Sequence, residues 1–158
     1  MYNNTGNQEA YIGMNLPISG TNINGTGLML GERVKYTAVT GMAIISTANS
    51  YRNGTSGTYA DLNTGGYCIV TRITIKAQGT TTKGMIRIFN RDQGGTSRLM
   101  MEVCVPPITQ SALDQTVIAV INDPIYLGGH SNCRLRVSTE KAETFIITAE
   151  GLQYSFAW

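Results

Sequence analysis

His130, in Gly128-Gly129-His130-Ser131, is the one histidine of the chain and the first residue to weigh for chemistry. It stands in a glycine-rich turn with no acidic neighbour, so it reads as a solvated turn residue. Metal binding of the cupin kind needs several histidines and a glutamate, which excludes that class. Glu102, Glu140, Glu143 and Glu150 could supply a carboxylate pair for glycoside hydrolysis, yet nothing in their spacing brings two into one cleft. Glu140 and Glu143 flank Lys141 as a turn surface would. Asp92 and Asp123 sit at turns, where a carboxylate caps and bends the backbone. Gly65-Gly66 and Gly94-Gly95 lack the strand-to-helix setting of a phosphate loop and read as turns. The three cysteines, Cys68, Cys104 and Cys133, are odd in number, far apart and embedded in apolar runs. They are expected to be buried free thiols, neither a disulfide framework nor a zinc site. No catalytic, cofactor or metal site emerges, and no enzyme is expected.

Arginine is the remaining chemical signal. It outnumbers lysine eight to four, which matters because the planar guanidinium suits subunit contacts better than the ammonium does. Arg72, Arg87, Arg98, Arg134 and Arg136 fall at outward strand positions and are read as a subunit or shell interface, with solvated surface as the equal alternative. Direct nucleic-acid binding is not expected: the net charge is only +2, with no basic run and few aromatic neighbours for stacking.

The elements that carry these residues are strands. Cys68–Lys76, Met85–Arg91 and Asn132–Ser138 alternate with period two, and Asp92-Gln93-Gly94-Gly95 predicts a hairpin into Arg98–Val105. Pro106-Pro107 ends that strand. In the Cys68–Lys76 run, Ile69, Ile73 and Ile75 are placed on one face with Thr71, and Arg72, Thr74 and Lys76 on the other. Arg33–Val39 and Gly41–Ser46 are read as two successive strands, with further runs at 116–121, 124–127 and 144–151. Thr109 to Gln115 is the nearest helical candidate and is barely two turns long. Eight to ten strands in 158 residues predict one all-β domain, an antiparallel β-sandwich, with a jelly roll of two four-stranded sheets as the expected form.

Residues 1–30 differ. Glu9 is their one charge, Asn, Gly and Thr are dense, and the apolar residues lack helical period. They are read as an extended N-terminal arm, with 31–158 as the sandwich domain. The start of the chain lacks the basic and apolar runs of a signal peptide, and no stretch is long and apolar enough to span a bilayer. No membrane partner is expected, and synthesis and assembly are placed in the cytoplasm.

A family resemblance appears in the strand residues. Gly84-Met85-Ile86-Arg87-Ile88-Phe89, Arg98-Leu99-Met100-Met101-Glu102-Val103 with Val105-Pro106, and the run from Arg136 to Gly151 look like a group of tailed-bacteriophage virion proteins. The blocks Tyr36–Ala43 and Ile73–Ala77 are similar too, so the resemblance covers about residues 34 to 154. It implies a virion structural role: a head auxiliary or capsid decoration protein with a jelly-roll fold, often a homotrimer, whose partners are itself and the major capsid protein. In that setting Tyr2, Tyr11, Ile12, Met14 and Leu16 of the arm are the expected capsid-anchoring residues. The alternative is a carbohydrate- or receptor-binding domain of a tail tip or tail fibre, with Tyr51, Tyr59, Tyr67 and Tyr126 as the aromatic contributors.

Overall fold

The computed structural model describes residues 9–11, 33–62, 67–130 and 132–157, with side chains described for 37–62, 67–130 and 132–153. Two compact units divide the chain, 38–153 and 1–37 with 154–158. In the smaller unit, strand β1 (Glu9–Tyr11) pairs antiparallel with the opening residues Arg33–Lys35 of β2 (Arg33–Ile45). Tyr11, opposite Arg33, is the one anchoring candidate of the arm that lies on a described strand. Tyr2, Ile12, Met14 and Leu16 lie outside the described residues.

The larger unit is all-β. Its remaining strands are β3 (Ala60–Leu62), β4 (Cys68–Gln78), β5 (Gly84–Arg91), β6 (Ser97–Val105), β7 (Gln115–Ile121), β8 (Ile125–Tyr126), β9 (Arg134–Thr139) and β10 (Thr144–Ala157). One antiparallel sheet runs β2-β10-β4-β7, with β8 also on β4, and the second runs β3-β9-β5-β6. The pairs β2·β10, β3·β9, β4·β7 and β5·β6 nest first with last and fall alternately in the two sheets. A long hairpin rolled up on itself gives this order, and it defines a jelly roll.

The core lies between the sheets. Val70, Ile73, Ile75, Phe145 and Ile147 of the first sheet meet Leu62, Ile86, Ile88, Leu135 and Val137 of the second in one buried cluster. Each such side chain contributes about 1.5–3 kcal/mol of burial. β-Branched residues at alternate positions make these strands, since their side chains pack well on a pleated surface.

Among the described residues, three β-bulges interrupt the alternation. Glu150 pairs with Arg72 but Gly151 with Val70, which leaves Thr71 as the extra residue of β4. In β7 the extra residue is Ile118, between Val117 opposite Lys76 and Ala119 opposite Ile75. In β6 it is Met100, between Leu99 opposite Phe89 and Met101 opposite Ile88. A bulge shifts the inward phase by one residue. Before Thr71 the buried residues are therefore Cys68 and Val70, not Ile69, which corrects the expected face. One more expectation changes. β2 and β10 run unbroken through Gly41 and Gly151, because a single glycine without other turn residues does not end a strand. Residues 109–115 form no helix: Gln110 clamps that connection by donating from Nε2 to the Gly79 carbonyl (2.9 Å) and accepting from Thr116 Oγ1 (2.6 Å).

Candidate functional site

The two sheets present different outer faces. That of β3-β9-β5-β6 is covered by the chain's own loop, residues 46–59. Asn49 is the clasp: its backbone N–H donates to Thr139 O (2.7 Å), and its side-chain Nδ2 donates to Thr58 O (2.8 Å) and Ser56 O (3.2 Å). Its Oδ1 accepts from Tyr51 N–H at 3.0 Å. Gly54, at φ +71°, lets the loop touch the sheet, because a Cβ there would lie 2.5 Å from Ser97 Cβ. Tyr59 closes the far side, edge-on to Phe89 with ring centroids 5.3 Å apart.

Under this cover lie three of the arginines assigned to an interface. Arg87 points away from the core as its alternation requires, yet only 2% of it is exposed. Its Nε donates to Glu102 Oε1 (2.8 Å) and its Nη1 to the Asn49 carbonyl (3.2 Å), while Glu140 lies 3.7 Å away. Arg52 of the loop reaches the same Glu102 oxygen at 3.0 Å. The hydrogen bond from Arg87, with the charges of both arginines behind it, holds the Glu102 carboxyl below its ordinary value. Arg136 donates to Asp61 Oδ1 (2.7 Å) and stacks 5.5 Å from the Tyr59 ring centre, and Arg134 reaches Asp61 Oδ2 at 3.4 Å. The outward direction read from the sequence is correct for all three, but their guanidiniums serve contacts within the chain. Arg72 and Arg98 are exposed, the former facing Glu150 across β4 and β10 at 3.5 Å.

The outer face of β2-β10-β4-β7 carries apolar side chains in water. Met42 and Ile44 of β2 are 61% and 60% exposed, and Val117 and Val120 of β7 are exposed as well. Beyond the Thr71 bulge, Leu152, Ile69 and Tyr126 stand opposite one another on adjacent strands, with Tyr126 70% exposed. Lys76, Thr74, Arg72 and Glu150 of β4 and β10 lie between the exposed side chains of β2 and those of β7, with Lys76 opposite Val117 and Thr74 opposite Val120. A face of this kind can dock, because covering its apolar side chains is worth roughly 25 cal/mol per Å². Met42, Ile44, Val117 and Val120 were not among the residues expected to form a contact surface. The available signal was Met42-Ala43-Ile44-Ile45, a strand apolar on both faces where a solvated face should be polar.

The remaining candidates have structural settings. His130 is half-buried in its turn, where Nδ1 accepts from Asn132 N–H at 3.1 Å. Cys68 and Cys133 are buried free thiols as expected, and burial pushes the Cys68 thiol up. Cys104 is exposed, contrary to expectation, because it alternates to the solvent side of β6 between Val103 and the buried Val105. A cleft of about 140 Å³ beside β3 and β9 is lined by Tyr59, Ser138 and the hydroxyl residues Ser46, Thr47 and Thr58. Of the four tyrosines considered for a sugar groove, Tyr59 alone lines it; Tyr51, Tyr67 and Tyr126 are exposed elsewhere. Among the described residues, no three His, Cys, Asp or Glu side chains come together as a metal site.

Fold and surfaces together define a jelly roll with one self-covered sheet and one open, partly apolar sheet. No protein-family model matches the chain, and no curated protein matches it.

Proposed function

We propose that the chain is a structural subunit of a tailed-bacteriophage particle, a head auxiliary or decoration protein that attaches to the major capsid shell as a symmetric homotrimer. The observation that carries this reading is the contrast between the two sheets. One outer face is sealed by the chain's own loop and its arginines are spent internally. The other offers Met42, Ile44, Val117 and Val120 to a partner. Contact by such a face is weak per copy but becomes strong when symmetry repeats it. The resemblance of the strand residues to virion proteins points to the same assignment, and in this reading the arm's Tyr2, Tyr11, Ile12, Met14 and Leu16 add a second attachment to the shell.

The test is the mass of the full chain in solution, followed by co-sedimentation with capsid shells of the phage that encodes it. A trimer that sediments with shells, and a Met42→Asp/Ile44→Asp variant that folds but stays in the supernatant, is the expected result. A monomer that ignores shells overturns the proposal. The second reading, a tail-tip or tail-fibre receptor-binding domain, draws on the hydroxyl-lined cleft at Tyr59. Binding on a glycan array without shell binding would favour it.

A further inference from the structure

The loop that covers the second sheet leaves β2 after Ile45 and enters β3 at Ala60. Between its two ends lies the cleft of about 140 Å³, with Ser138 and Thr139 of β9 in its wall. Thr139 Oγ1 is engaged, donating to the Lys141 carbonyl at 3.1 Å. Two other hydroxyls are not. Tyr59 Oη and Ser138 Oγ are buried, and among the described residues neither has a hydrogen-bond partner. Ser138 is only 1% exposed. A hydroxyl buried in this way destabilises the fold, and phenylalanine at 59 with alanine at 138 would avoid the cost. The exposed residues Ser46, Thr47 and Thr58, from the two ends of the loop, line the same cleft. Its volume is roughly ten times what one water molecule requires and below that of a pocket for a drug-sized ligand.

We propose that this cleft binds one ring of a neutral saccharide, with Tyr59 Oη and Ser138 Oγ as its buried hydrogen-bond partners. A hydroxyl both donates and accepts, so a wall of hydroxyls matches a ligand whose own edge is made of them. Ile44, Ile45 and Ala60 give the cleft an apolar side for the C–H face of the ring. None of the residues that line it is charged. Arg136, which stacks on the Tyr59 ring, is spent on Asp61 and does not line the cleft. An acidic sugar would therefore give up the hydration of its charge with nothing to replace it. Neither buried oxygen meets solvent, so the ligand reaches them as the two loop ends part. The inference rests on the second functional reading for its site and deepens it by naming the ligand, while a head subunit can carry the same cleft.

The experiment titrates the full chain with glucose, galactose, mannose and N-acetylglucosamine, and separately with glucuronate and N-acetylneuraminate, and follows the backbone amides by NMR. The expected result is saturable shifts at Thr47, Thr58 and Ser138 from at least one neutral sugar and none from the two acids. Tyr59→Phe keeps the ring against Phe89 and Arg136, and with Ser138→Ala it should bind about five-fold or more weakly. Without sugar both variants should unfold at or above the midpoint of the parent. Tyr126→Phe, on the other sheet, should bind like the parent chain. Saturation at the cleft by a chain that also sediments with shells upholds the inference and ends the second reading. Shifts that gather at Tyr67 and Tyr126, or that survive in both cleft variants, overturn the inference and leave the second reading standing. Saturation by no neutral sugar, or equally by an acidic one, overturns the inference. So does a cleft variant less stable than the parent without sugar, because its hydroxyl would then be a structural contact.

Discussion

Asn49→Ala tests whether one buried amide holds the loop that covers the second sheet. The substitution removes three hydrogen bonds, from Nδ2 to Ser56 O and Thr58 O and from Tyr51 N–H to Oδ1. At about 1 kcal/mol each the loss is about 3 kcal/mol. Thr58 and Tyr51 are exposed, so water replaces part of it and about 2 kcal/mol remains. The backbone contacts of Asn49 with Thr139 and Arg87 survive, so the damage concentrates in the loop. Global stability of a domain is about 5–15 kcal/mol, so the sandwich itself stays folded. Amide exchange at Tyr51 should accelerate far more than exchange in β4 or β5, with a modest drop in denaturant midpoint. Asn49→Asp sharpens the test. It keeps an acceptor for Tyr51 but turns a carboxylate oxygen toward two carbonyls in a buried position, so at pH 7 it should destabilise at least as much as alanine. An aspartate variant clearly milder than Asn49→Ala would refute the reasoning, because the amide donors would then not be what closes the loop.

Gly151→Ala should destabilise by about 1–3 kcal/mol through overpacking, reversing the gain of about 0.4–1 kcal/mol that glycine replacement brings at a permissive site. A Cβ there would lie 2.9 Å from Val70 Cα and closer still to the Ile69 carbonyl oxygen, and backbone cannot swing aside; denaturant unfolding reads the sign. The Glu102 carboxyl is held below its ordinary value in the folded chain, so its contribution is present above about pH 4.3 and fades as pH falls through the folded value. Glu102→Gln should therefore be less stable than the parent at pH 6–7 (an order-of-magnitude window), with the two acid-unfolding curves converging at low pH. A thiol reagent should modify Cys104 rapidly and reach Cys68 and Cys133 only on unfolding, as mass spectrometry of the native and denatured protein will report.

What the sequence revealed was whatever depends on local period. Met85–Arg91 and Asn132–Ser138 alternate cleanly, and β5 and β9 fall where that alternation puts them. Chain length and strand count suggested two facing sheets, but the nesting of strand pairs was not legible, because pairing partners lie far apart in the chain. The Thr71 bulge was not legible, because it arises from the register of β4 against β10 eighty residues away, and it moved Ile69 from the expected core face to the outside. Burial of Arg87 was hidden for a related reason. Its direction is a local property, but its cover comes from Asn49 and Arg52, residues of a polar loop whose composition reads as solvated. The docking face was half visible: apolar residues at both phases of Met42–Ile45 were present in the sequence, while the openness of that face is a property of the assembled sheet.

The bulges at Met100 and Ile118 lie on β6 and β7, the strands that end their sheets in the order β3-β9-β5-β6 and β2-β10-β4-β7. An outer strand with an even row of free amides and carbonyls is a template on which further chains can polymerise without limit. An extra residue near its middle breaks the row, so an incoming strand finds no continuous ladder to copy. A low-charge chain rich in Thr, Ile and Val is thereby protected from fibrous growth at high local concentration. On the proposed function, association is left to surfaces that saturate, and the number of copies would be set by whatever those surfaces fit.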